Sequence, residues 1–182
     1  DETLNECYDY AAEIHPAWDN HLTAANHYAF INRVDVAQQY YELCLAKAST
    51  DKERAMTLNN LANLQSDKNE YTKAESSYEE ALEIYRKLAQ ANPQTYLPYV
   101  ATTLNNLAVL QRAKNEYTKA ESSYEEALEI RRKLAQANPQ TYLPKIALTL
   151  NNLANLQRDK NEYTKAESSY EEALEIRRKL AQ

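Results

Sequence analysis

The 182-residue sequence predicts an all-α fold, a solenoid of helical hairpins with a 46-residue repeat, and three observations carry that expectation. The stretch 57–90 returns at 103–136 and again at 149–182, each start 46 residues after the last. Its first and third copies differ only at Ser66/Arg158 and Tyr85/Arg177. Glycine is absent and proline is held to five positions, so little interrupts a helical chain. Within each copy the apolar residues recur at helical rather than strand spacing. A fixed period of this size marks units that bury their apolar faces only by stacking on one another.

Each copy reads as two helices. The first, helix A, runs to about Asp67 in the first full copy and places Leu58, Leu61, Ala62 and Leu64 on one side. A tight helix–helix turn then calls for a left-handed residue, and without glycine the candidates are Asn69, Asn115 and Asn161. Helix B follows from about residue 71 to 91 with the stripe Tyr71, Ala74, Tyr78, Ala81, Tyr85 and Leu88. Small residues alternating with rings suit close helix approach. Its glutamates precede Arg86 and Lys87, which suits the helix dipole and permits a Glu83–Lys87 pair. In the connector 91–98, repeated at 137–144, Pro93 is expected to end helix B, Thr95 to cap the next helix and Pro98 to sit in its first turn. Helix A of the next unit would then span about 96–113.

Toward the N-terminus the same theme is worn. Residues 21–34 and 36–48 read as a further A and B pair, with Ala37, Tyr41 and Cys44 at the places of Ala74, Tyr78 and Ala81. Ahead of them, residues 2–14 put Leu4, Cys7, Ala11 and Ile14 on one stripe, ended by His15-Pro16. That segment reads as a capping helix over the first layer, or as an unrelated leader helix. The expected organisation is a cap at 1–16, a degenerate hairpin at 17–50 and three near-identical repeats at 51–182.

These residues resemble the tetratricopeptide repeat (TPR) family. Its pattern of a large residue and Leu-Gly in helix A, then Ala, aromatic and Ala in helix B, falls on Leu58, Leu61-Ala62, Ala74, Tyr78 and Ala81. It falls again on Leu104, Leu107-Ala108, Ala120, Tyr124 and Ala127, and on Leu150, Leu153-Ala154, Ala166, Tyr170 and Ala173. The family's Gly is replaced by Ala and its helix A Tyr by Gln65, Gln111 and Gln157. The period exceeds the family's usual length of about 34 residues, and TLNNLA followed by ALEI is similar to the longer repeats of kinesin light chains and bacterial TPR proteins. The resemblance implies a right-handed TPR-type helical-hairpin solenoid whose helix A lines a concave groove.

The arc of helix A opposite its leucines holds Asn59, Asn60 and Asn63, then Asn105, Asn106 and Arg112, then Asn151, Asn152, Asn155 and Arg158. An asparagine side chain both donates and accepts, so a ladder of them suits the main chain of an extended peptide. The plainer alternative is a set of copied surface positions satisfied by water or by one another. The expectation is a non-enzymatic interaction scaffold that binds an extended peptide or protein segment in this groove. A rod or fibre of chains stacked end to end is the alternative, because the last helix B repeats the internal stripe with no polar replacement. The family's carboxylate clamp for chaperone tails would place basic residues at Asn59, Leu148 and Asn152, so that ligand is disfavoured.

Other chemistries find little support in the residues. A net charge of −6, with Lys and Arg interspersed among Glu, argues against a nucleic-acid surface. No apolar run approaches the roughly 18–20 residues that span a bilayer. His15, His21 and His27 all lie in the N-terminal region, His21 and His27 fall on different helix faces, and the absence of glycine rules out a phosphate loop. No cofactor is implied. Cys7 and Cys44 read either as a disulfide or as two small buried residues on apolar stripes. A chain that starts at Asp1 leaves the cytoplasm and a secreted setting both open.

Overall fold

A computed structural model describes residues 5–9 and 17–181. Residues 5–9 are helical, and eight longer helices follow among the described residues, with no strand. They are α1 (Trp18–Phe30), α2 (Val34–Lys47), α3 (Asp51–Asp67) and α4 (Tyr71–Ala91), then α5 (Pro93–Ala113), α6 (Tyr117–Ala137), α7 (Pro139–Asp159) and α8 (Tyr163–Leu180). The chain divides into two compact units, residues 1–84 and 85–182, with the boundary inside α4.

Each helical hairpin turns on an asparagine. Asn69, Asn115 and Asn161 have φ near 60°, the left-handed conformation the sequence predicted for them. In the first turn, Asn69 N–H donates to Ser66 O at 2.9 Å and Glu70 N–H to Gln65 O at 2.8 Å. This is the Schellman motif, which satisfies carbonyls that the helix end leaves without partners. Asn32 closes the hairpin of α1 and α2 in the same way, with φ 60°. Sequence reasoning passed over Asn32, although it stands five residues before Ala37 just as Asn69 stands five before Ala74. The expected N-terminal pair accordingly shifts: α1 starts three residues before His21 and ends at Phe30, and α2 starts at Val34.

The connectors differ from expectation at their start. Asn92, not Thr95, caps α5, and its side chain accepts from Thr95 N–H at 3.2 Å. Asn138 caps α7 identically through Thr141 N–H. Pro93 and Pro139 are the first residues of their helices, where the missing amide costs nothing, so these helices begin three residues early. Pro98 and Pro144 consequently lie inside the helices rather than in the first turn. Thr50 caps α3 through a capping box, giving to and taking from Glu53. The Ser49 and Thr50 backbone amides, with their hydroxyls, hold the Glu53 carboxyl below the usual carboxylate range.

In the N-terminal unit, Leu22, Ala24, Ala25, Tyr28, Ala37, Tyr41, Cys44, Leu61 and Leu64 form one core. Small residues against rings let these helices approach closely. The segment 5–9 docks here: Tyr8 stacks on His27 at 4.3 Å, and the Tyr28 and Tyr40 hydroxyls donate to Asp9 Oδ1 at 2.8 and 2.6 Å. The rest of the expected capping helix lies outside the described residues, as does His15. Cys44 is buried, its thiol pushed up to about 12 by burial, whereas Cys7 is exposed and both are free. The expectation of two buried cysteines therefore fails at Cys7, and no disulfide joins them. In the C-terminal unit, α7 lies between α6 and α8, and Tyr124, Leu128, Ile146, Leu150, Leu153, Leu156 and Ile176 share a core.

Candidate functional site: the asparagine-lined faces of the A helices

The asparagines fall into two sets by what they hold. Asn63 and Asn155 each accept a hydrogen bond from the helix B tyrosine fifteen residues on, Tyr78 at 2.5 Å and Tyr170 at 2.7 Å. Asn26 does the same for Tyr41 at 2.8 Å and also accepts from Asn60 Nδ2 at 3.1 Å. A buried phenol needs such a partner, since an unpaired hydroxyl in a core costs about 1–3 kcal/mol. These amides lock helix A to helix B within a repeat.

A second set joins neighbouring repeats. Asn105 is buried, and its Oδ1 lies 3.1 Å from the Thr149 hydroxyl and 3.4 Å from Asn152 Nδ2, both on α7. Its own Nδ2 reaches Asn106 Oδ1 at 3.5 Å, while in the N-terminal unit Asn59 Nδ2 reaches Asn60 Oδ1 at 3.3 Å. Arg112 Nε donates to Asp159 Oδ2 at 2.6 Å, so the α5 guanidinium is already neutralised by α7. Asn151 occupies on α7 the register of Asn105 on α5 and is half-buried, and Arg158 is exposed. Of the ten candidate residues, the C-terminal unit joins Asn105 to Asn106 and to Asn152 and pairs Arg112 separately with Asp159, and the N-terminal unit pairs Asn59 with Asn60.

Val109 interrupts the strip. It stands where Asn63 and Asn155 stand in the other copies and is 44% exposed on the same face. The result is an apolar spot bordered by amides.

Sequence reasoning missed a third interaction. Gln65, Gln111 and Gln157 each accept a hydrogen bond from the serine twelve residues later, Ser77, Ser123 and Ser169, at 2.9, 3.0 and 2.9 Å. The glutamine at the family's tyrosine place and the recurrent serine are one feature, and their equal spacing in all three copies was the signal. Burial raises the phenol of Tyr124 to about 12 and lowers the Arg131 guanidinium to about 10. Among the described residues no cluster of three or more His, Cys, Asp or Glu has metal-holding geometry, and no helix is long and apolar enough to cross a membrane.

Two models described as tetratricopeptide repeat match the chain, one over residues 18–87 and another over 100–140 and 146–181. The fold is similar to that of BtubC (BKLC) from P. vanneervenii, at 27% identity and a TM-score of 0.80 over 90% of this chain. The chain spans 64% of that protein's length. It is similar to MamA as well, at 16% identity and a TM-score of 0.71 over 97% of this chain and 88% of that one. PilF of Pseudomonas aeruginosa aligns at 22% identity with a TM-score of 0.69, over 96% and 68% of the two chains. Among curated proteins no match is found.

Proposed function

Because the chain belongs to the tetratricopeptide repeat family, a family of protein-interaction scaffolds, we propose that it binds an extended peptide along the asparagine-lined face of α5 and α7 in its C-terminal unit, without catalysing a reaction. The observation that carries this reading is the half-exposed Val109, one helical turn from Asn105 and Asn106 on α5, with Asn105 bonded in turn to Asn152 of α7, a spot for one apolar side chain beside amides that can pair with a peptide main chain. An extended segment offers alternating donors and acceptors, and an amide answers either. Arg112 adds little free charge to the strip, because it is already engaged by Asp159.

A peptide array of apolar and polar ten-residue segments, followed by calorimetry on the best binder, tests the reading. Val109→Asp and the double change Asn106→Ala with Asn152→Ala should each weaken binding about tenfold or more while helicity is kept. Binding that survives both variants would sink it.

A further inference from the structure

A buried residue of α6 stands at the end of a hydrogen-bond chain that reaches the amide face. The copies of helix B, α4, α6 and α8, have identical sequences but for one position, occupied by Tyr85, Arg131 and Arg177. Tyr85 stacks on Tyr99 of α5, ring centroids 5.1 Å apart and planes 17° from parallel. At the next junction Lys145 stands at the register of Tyr99, and Arg131 meets the backbone of α7 instead. The guanidinium is buried, with Nη1 donating to Lys145 O at 2.9 Å and to the Thr149 hydroxyl. Lys145 turns its ammonium away, onto the Tyr142 ring at 5.5 Å.

Thr149 has one hydroxyl hydrogen and two acceptors within reach of it, Lys145 O and Asn105 Oδ1, each at 3.1 Å. Arg131 decides between them. Its Nη1 lies against both the carbonyl and the hydroxyl oxygen, and positive hydrogens repel, so the hydroxyl hydrogen turns away from the guanidinium, to Asn105. In the N-terminal unit the indole of Trp18 gives to the Thr57 hydroxyl at 2.9 Å, and that hydroxyl donates to its own helix at Glu53 O, also at 2.9 Å. Asn105 Oδ1 takes Asn152 Nδ2 as well, at 3.4 Å, while Asn105 Nδ2 gives to Asn106 Oδ1 at 3.5 Å. Two donors on α7 thus fix which way the Asn105 amide faces. Turned over, it would set nitrogen against those donors and oxygen against oxygen.

We propose that Arg131 is a positioning residue for the amide face. Acting through Thr149, it holds Asn105 in one sense, and Asn105 holds Asn106 and Asn152 in the orientation that meets a peptide main chain. This role rests on the groove reading above, and it gives a residue that touches no ligand control over affinity. Val109 lies three residues beyond Asn106 on the same helix face, so a main chain docked there passes the amides that Arg131 orients.

The test copies the first junction onto the second. In the whole chain, Arg131→Tyr with Lys145→Tyr replaces the guanidinium by the ring pair already present at Tyr85 and Tyr99, so circular dichroism and thermal melting should stay close to the parent. Magnetic resonance of the ligand-free chain, made with isotope-labelled asparagine, reads the amide itself. The Asn105 side-chain amide should exchange with water about tenfold faster or more in this variant, with the backbone amides of Asn151, Asn152 and Asn155 still protected. Thr149→Val should have the same effect, and Thr149→Ser, which keeps the hydroxyl, should leave exchange slow. Calorimetry with the best peptide of the array should follow the same order, affinity falling about tenfold for the double change and for Thr149→Val but not for Thr149→Ser. A purely structural Arg131 would shift the melting temperature and leave the Asn105 signal and the affinity in place. Unchanged Asn105 exchange in the double variant overturns the proposal, and so does unchanged affinity when exchange quickens. If no array peptide binds the parent chain, the groove reading itself falls and takes this role with it.

Discussion

Asparagine does at four turns what glycine does in most proteins. A residue with a β-carbon is penalised by about 1–2 kcal/mol in the left-handed region, and asparagine escapes part of that through local hydrogen bonding. The Tyr71 and Tyr163 hydroxyls donate to Asn69 and Asn161 at 2.7 and 2.8 Å, so the side chain is employed as well as tolerated. Asn161→Ala should therefore cost about 1–2 kcal/mol in chemical denaturation, and Asn161→Gly should cost less. Three of these turns were legible because a chain without glycine leaves few candidates. Asn32 was passed over although the match of Ala37 to Ala74 already set it at the register of Asn69, because the first helix was carried on to Val34. In the core, Leu107 is 4% exposed, and Leu107→Ala should cost about 2–5 kcal/mol by opening a cavity.

Among the elements, the A helices depart most from sequence expectation. A proline pair five residues apart, Pro93 and Pro98, reads as a break followed by a new start, yet the helix runs through both. The first proline lies where amides have no partner anyway. The second withholds one bond, near the end where a helix gives it up most cheaply. Pro144→Ala in α7 should then raise the melting free energy by about 1–2 kcal/mol, the restored bond outweighing the freedom returned to the unfolded chain. The opposite sign would mean that the kink-prone residue is matched to its packing. Asn138→Ala, which removes the cap of the same helix, should cost about 1 kcal/mol. The asparagine arc was legible as an arc but not as a network. Whether an amide faces a ligand, a tyrosine or the next repeat depends on neighbours that are distant in sequence, and only the recurrent fifteen-residue Asn–Tyr spacing hinted at one of the three.

At the scale of the molecule, buried phenols dominate the response to alkali. Burial raises Tyr28, Tyr41 and Tyr124 to about 12 from their ordinary 10, and Tyr78 and Tyr85 rise further. A group whose pKa is higher when folded lends stability in full below its unfolded value and loses it as pH climbs through the folded one. The Cys44 thiol, raised by burial to about 12 from 9, acts in the same sense, so stability should start to fall near pH 9 and fall more steeply from pH 10 to 12. The lowered guanidinium of Arg131 acts in the opposite sense over about pH 10 to 12.5, as one group against the five phenols and the thiol. Urea titrations at successive pH values check this, and Tyr41→Phe should flatten the decline.

The surface ion pairs that repeat with the chain, Arg86–Glu126 and Arg132–Glu172 at 2.7 Å, lie half in water and contribute little. They also cannot tell one junction from another. A chain whose copies are nearly interchangeable can pair a helix with the counterpart one period away, a slip that leaves every leucine satisfied. The tyrosine pair at one junction and the buried arginine at the next act against that error, each helix rejecting its neighbour's mate. Making the junctions alike with Tyr85→Arg and Tyr99→Lys should lower refolding yield more than it lowers the equilibrium midpoint. Fidelity of assembly, rather than stability, would be the property that one odd tyrosine protects.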